Sequence, residues 1–273
     1  LDLIFQVPSN TTFTLDLFKS LGGKDKTSNV FFSPLSISSA LSMLLLGAKG
    51  STAKQMRECL KTKDCKDVHS SFAALLQELN KPDSSYALGV ANRLYGDSPE
   101  LKTFLHIILQ KFYNAELESV DFLNKAEEAR NQINSWVEEQ TQGKSVCIDA
   151  VDSSSKLVLV NAIYLKADWK EQFEKDFTRD AVFRLNKRET RTVKMMWHKS
   201  KFKLRHVKEV SCQVIELPYK RGELSMLIFL PNDIEDNTTG LEKVGQSTGV
   251  CFHDLLLPLL LLMQLLYFNL PEC

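Results

Sequence analysis

The sequence predicts an α+β protein in which helices gather toward the N-terminal half and long antiparallel strands follow. Three stretches predict this. Residues 157–169 (LVLVNAIYLKADW) open with four aliphatics, and their β-branched and aromatic content reads as a strand. Near-continuous apolarity there predicts a central strand of a sheet covered on both faces. Residues 126–140 (AEEARNQINSWVEEQ) read as an amphipathic helix with Ile133, Trp136 and Val137 inward. Residues 212–219 and 224–230 read as two strands joined by Lys220-Arg221-Gly222, a hairpin signal. Asn161 interrupts the first stretch. Buried, its amide needs partners, because leaving it unpaired costs on the order of 1–3 kcal/mol. It is either a structural tie between strands or a latch where a sheet opens.

The remaining elements follow in order. Thr11–Leu21 places Phe13, Leu17 and Leu21 at helical spacing, with Asn10 or Thr11 as cap and Gly22-Gly23 as stop. Residues 29–32 (NVFF) predict a short buried strand. Ser33 as N-cap and Pro34 at the first position start a helix carrying Ile37, Leu41, Leu44 and Leu45. Its other residues are small, so it is expected to be buried all round. Ser51 is expected to cap a helix to about Leu60, and Asp67 one to Leu79. The loop between them carries Lys61, Lys63 and Lys66, but Asp64 and Asp67 interrupt the charge, so a solvated loop is expected, not a polyanion contact. Residues 86–95 predict a second long strand, 101–113 a helix and 116–122 a short strand. Thr141-Gln142-Gly143 closes the 126–140 helix, and 177–196 predict hairpin-like strands. No repeat or linker divides the chain, so one domain is expected.

Composition narrows the function classes. Lys+Arg and Asp+Glu both number 34, which gives no basic field for nucleic acid. Cysteines at 59, 65, 147, 212, 251 and 273 form no CxxC pair, so free thiols in a reducing compartment are expected. The N-terminus lacks the features of a signal peptide, which predicts a cytoplasmic protein, or an extracellular one exported by an unconventional route. The sequons at Asn10 and Asn237 are then idle. His69, His106, His198, His206 and His253 show no HExxH spacing, and there is no GxSxG or paired acidic motif, so no enzyme is expected. His198 and His206 near Cys212 are read as surface residues of strands and a loop. Neither metal nor cofactor is expected.

Eight ordered segments carry a resemblance: NVFFSPLSI (29–37), LLLGAKGSTAKQM (44–56), ANRLYG (91–96), ELESVDF (116–122), INSWVEEQTQGK (133–144), LVLVNAIYLKADW (157–169), TVKMM (192–196), and VIELPY with ELSMLIFLPND (214–233). Together they resemble the serpin family, closest to its ovalbumin-like, intracellular branch (clade B). The resemblance implies a fold of three sheets and about nine helices. Residues 157–165 would be the third strand of the main sheet and 86–95 the second, with helix 126–140 across that sheet's face. It also implies a serine protease inhibitor of the suicide-substrate type. The partner of the complete form would be a serine or cysteine protease, which cleaves an exposed reactive loop. The loop then inserts as an extra strand beside the third strand and deforms the acylated protease. Ser33, Ser36 and Asn161 match the family's shutter, where the strands part. Trp169 matches the breach, where insertion begins. Asn29, Thr141, Gly143 and Lys144 match family positions of structural kind.

The pattern departs in places. Ala167 stands where the family usually has Gly, Ser145 replaces an apolar residue, and the connector 145–156 and the segment 97–101 are short. Similarity stops near Val244, so the expected organisation is a partial serpin domain, 1–244, and a non-family hydrophobic tail, 245–273. Hinge, reactive loop and C-terminal strands are not recognised in that tail, and no scissile residue is named. Leu255–Leu270 is apolar but contains Pro258 and Gln264, short of a spanning helix, so membrane contact is not expected. The tail is read first as the product of an alternative reading frame, then as a membrane-associating segment or a helix covering exposed core. On these expectations the chain is truncated and not itself inhibitory. The alternative function is a non-inhibitory fragment that captures a strand, such as a reactive-loop peptide, or polymerises through the Leu157–Leu165 edge.

Overall fold

The computed structural model describes residues 3–23, 30–80, 86–96, 102–144 and 148–232. These fall in two compact units, Leu1–Asn10 with Pro34–Lys166, and Thr11–Ser33 with Ala167–Cys273. The apolar run 255–270 and Asn237 lie outside the described residues. Among the described residues no helix is long and apolar enough to cross a membrane.

The first helix, α1 (Leu3–Gly22), begins eight residues before the expected start. Pro8 lies inside it, where the ring forfeits one backbone bond without ending the helix. Asn10 and Thr11 are therefore interior, and neither caps. The amide oxygen of Asn10 instead accepts from Ser38 Oγ at 2.8 Å. Phe13 and Leu15 are buried, whereas Leu21 is exposed, so the inward face is turned from the one expected. Val30–Phe32 form no strand, and Phe31 is 73% exposed. Strand-like composition lacks effect here because no neighbouring strand is paired with it among the described residues.

In the first unit, α2 (Pro34–Leu45) starts at its proline as predicted and buries nine of its residues. It packs against α3 (Gly50–Cys59), α4 (Val68–Leu79) and α5 (Lys102–Tyr113). Helix α3 starts one residue before Ser51, after a Lys49 that offers no side-chain cap, so the expected Ser51 cap is not made. Asp67 does cap α4, its carboxylate accepting from Ser70 N at 3.1 Å. Val68, Phe72, Leu75, Leu76 and Leu79 then form one buried stripe.

The sheet of this unit has the order β2-β1-β3, with β1 at Tyr86–Gly96, β2 at Glu116–Ser119 and β3 at Leu157–Ala167. β1 and β2 run parallel, Arg93 opposite Glu116 and Gly96 opposite Ser119. β2 ends earlier than expected because Asp121 caps the following helix, α6 (Phe122–Gln140), by accepting from Asn124 N at 2.9 Å. The helix bends at Lys125, whose φ of −136° is non-helical. Ile133, Trp136 and Val137 pack with Tyr95 of β1 and with Val160 and Ala162 of β3, so α6 covers one face of the sheet as expected. The central position of β3 is not observed. Among the described residues β1 is central and β3 is at the edge, with Leu157 51% exposed and only Val160 and Ala162 buried. Apolar content alone does not distinguish a strand covered on both faces from one whose second flank is open.

Thr141 closes α6, its hydroxyl donating to Val137 O at 2.8 Å. Gly143 N donates to Glu138 O at 2.9 Å with φ at +75°. An added Cβ there meets nothing within 4 Å, so only the backbone opposes substitution. Gly143→Ala is expected to lower the stability of the chain by about 1 kcal/mol, read as a lower urea midpoint at unchanged slope. Lys144 follows in solvent.

The second unit holds a hairpin, β4 (Arg179–Arg184) and β5 (Thr190–Met195), and a meander, β6 (Lys203–Val207), β7 (Cys212–Pro218) and β8 (Ser225–Pro231). Both are antiparallel. The β7–β8 turn is the one expected: Tyr219 N donates to Leu224 O at 2.9 Å, and Arg221 and Gly222 take φ of +65° and +75°. β6 was not expected as an element. Its alternation of Lys, Arg and His with Leu and Val is mostly exposed, and only Val207 enters the small core with Val210, Cys212 and Val214.

Candidate functional site

A polar junction joins three elements of the first unit. Helix α2 carries Ser36, Ser39 and Ser42 three residues apart, hence on one face, and all three are buried. β1 carries Asn92, 3% exposed, and β3 carries Asn161, half-buried. Asn161 Nδ2 donates to Asn92 Oδ1 at 2.7 Å and to Ala91 O at 3.3 Å. Asn92 Nδ2 donates in turn to Ser39 Oγ at 3.3 Å. The amide of the edge strand is thus tied through the central strand to the helix. The Asn92–Ser39 bond is buried and the two Asn161 bonds are part-buried, where an unmade partner costs more than at the surface.

The predicted site residues are distributed as follows. Asn161 is at the junction, and Ser36 is buried on the same helical face as Ser39. Ser33 belongs to the second unit, half-buried directly before Pro34. Asn29 lies outside the described residues. Trp169 lies in the second unit, stacked on Tyr219 with ring centroids 4.6 Å apart and planes 9° from parallel. Phe173 meets Trp169 edge-on at 6.1 Å. Backbone bonds clamp this stack on both sides, Lys220 N to Asp168 O at 2.8 Å and Lys170 N to Pro218 O at 3.0 Å. Burial of Tyr219 pushes its hydroxyl pKa up. Thr141, Gly143 and Lys144 terminate α6.

Two residues of the junction, Asn92 and Ser39, were not among the expected site residues. Their signal was present. Asn92 is the one side-chain amide of its strand, though Arg93 stands beside it, and Ser39 repeats Ser36 after one helical turn. Among the described residues no group of His, Cys, Asp and Glu is placed to hold a metal ion.

A family model described as "Serpin (serine protease inhibitor)" matches residues 8–252. The leukocyte elastase inhibitor of Equus caballus is 51% identical over 245 residues, covering 88% of this chain and 64% of that protein. The leukocyte elastase inhibitor of Homo sapiens is 48% identical over 244 residues with the same coverage, 88% and 64%. The chain thus spans 64% of the length of these curated relatives. Among solved structures, ovalbumin from emu (Dromaius novaehollandiae) superposes with a TM-score of 0.82 at 33% identity, covering 92% of this chain and 68% of the other. A tumour suppressing serpin superposes with a TM-score of 0.81 at 37% identity, covering 90% and 67%.

Proposed function

Because the chain belongs to the serpin family, we propose that the described fold is the body of a protease inhibitor of the suicide-substrate, loop-insertion class. In its complete form it is directed at a serine or cysteine protease. Relatives named leukocyte elastase inhibitor make an elastase-type serine protease the first candidate. The observation that carries this reading is the Asn161–Asn92–Ser39 tie beside a sheet edge. A few directional hydrogen bonds can be broken and remade when strands part, whereas an interdigitated apolar seam must be repacked. A strand added beside β3 would satisfy the ladder groups along that edge. Ser36 and Asn161, with Asn92 and Ser39 of the same unit, are read as the shutter; Ser33 and Trp169, of the second unit, are read from the family pattern alone as a shutter and a breach position.

The family model matches to residue 252, eight residues beyond the boundary expected at Val244, and no hinge or reactive loop is recognised in the tail, so the 273-residue chain is proposed to be non-inhibitory by itself and without enzyme activity. Among the described residues β3 lies at the edge of its sheet, which favours a second reading, in which the chain captures a reactive-loop strand or a second copy of itself. Cys59, Cys65 and Cys212 are free thiols, and the proposed setting is cytoplasmic, or extracellular by an unconventional route. Incubated with leukocyte elastase, the chain is expected to form no SDS-resistant adduct. A synthetic peptide rich in Glu, Thr and Ala, the composition of a family hinge, is expected to raise its melting temperature. An adduct would overturn the non-inhibitory reading, and an unmoved melting temperature would overturn strand addition beside β3.

A further inference from the structure

A second polar group, between α4 and α5 and bordered by Ser42 of α2, is not used by the inhibitor reading. His69, in the first turn of α4, places Nδ1 2.7 Å from the hydroxyl of Tyr113, the last residue of α5. The ring of Tyr113 is 1% exposed and packs against Phe72 at 6.0 Å, while Phe112 tilts over His69 at the same distance. Burial raises the phenol's pKa, so Tyr113 keeps its proton and has one hydrogen to give. From α2, the Ser42 hydroxyl comes close enough to oppose that rise without reaching hydrogen-bond geometry.

We propose that His69 is a proton-operated latch on the α2–α4–α5 packing. Neutral, its Nδ1 accepts the Tyr113 hydroxyl and closes α4 on α5. Protonated from solvent, both its ring nitrogens are donors, so Tyr113 must become the acceptor and turn its own hydrogen away. Ser42 Oγ of α2 is the acceptor assigned to that hydrogen, and α2 must move to offer it. A buried donor left unpaired is destabilising, so the three helices loosen together. The charges facing His69 are Asp67 at the α4 cap, which raises its pKa, and Arg57 of α3, which lowers it; α5 offers neutral Tyr113 and α2 neutral Ser42. Desolvation outweighs both charges and holds the imidazole below its ordinary value of 6.5. A folded pKa below the unfolded one means that stability is complete above 6.5 and declines as pH falls toward the folded pKa.

The test is hydrogen–deuterium exchange of the whole chain at about pH 7.5 and about pH 5.5, corrected for intrinsic rates. Peptides covering α2, α4 and α5 are expected to exchange faster at the lower pH in the native chain, a gain that His69→Gln loses. Tyr113→Phe is expected to show the fast exchange at both pH values. NMR titration of the native His69 ring is expected to give a midpoint below 6.5. An equal acid response in His69→Gln, or a midpoint at or above the ordinary value, overturns the latch. The titration decides the question even if the variants do not fold. None of these readouts involves a protease or loop peptide, so the latch and the inhibitor reading can fail separately.

Discussion

Replacing Asn92 with leucine is expected to destabilise the chain by about 2–4 kcal/mol, although leucine is the more hydrophobic residue. The substitution removes one of the two acceptors of Asn161 Nδ2, in a part-buried bond, and the donor to Ser39 Oγ, in a buried one. Each stranded group forfeits about 1–3 kcal/mol, and the added apolar area recovers part of that. Chemical denaturation of the two proteins checks the number. A double-mutant cycle with Asn161→Ala separates the pair, because residues in one network couple where distant ones add. Coupling near zero would show that the two amides act independently and would remove the basis for reading them as one joint.

Trp136→Ala carries the larger loss, about 3–5 kcal/mol. Trp136 lies on the inward face of α6, edge-on to Tyr95 at 6.4 Å and 73°, with the Arg93 guanidinium 5.0 Å from its ring centroid. Arg93 is also paired with Glu116 of β2. One indole therefore holds the covering helix, the central strand and, through Arg93, the second strand. Alanine leaves a cavity and releases Arg93 from its cation–π contact, which is itself about 0.5–2 kcal/mol. Trp136→Phe keeps an aromatic face and should lose much less. The urea midpoint distinguishes the two variants. A loss below about 1 kcal/mol for alanine would mean that the helix is not docked through this side chain.

What could be read in advance divides by the range of the forces. The α4 cap at Asp67, the Pro34 start of α2, the inward triad of α6 and the 220–222 turn depend on neighbours within a few residues, and the chain displays those directly. The position of β3 does not. LVLV has the same apolarity whether or not a strand lies along its second flank, and that is decided by residues distant in sequence. NVFF failed for the same reason, since strand composition needs a pairing partner. At the junction, Asn161 stood out as a polar interruption. Asn92 did not, because Arg93 stands directly beside it in ANRLYG, and an amide next to a charge does not read as a lone polar interruption. Ser39 was legible only as a small residue on a buried helix until a partner appeared opposite it.

The order of strands in the first sheet has a consequence in time. β7 and β8 are joined by the residues 219–224, so their pairing closes a short loop. Asn161 and Asn92 are 69 positions apart. Bringing together ends so far separated costs roughly 2 kcal/mol more chain entropy than closing a tight turn, before any contact offsets it. Local hairpins therefore form early during refolding, and β3 arrives late, after α5, β2 and α6 have been made between it and its neighbour. Until then β1 presents an unpaired flank, and that interval is when nascent chains are most exposed to pairing with one another.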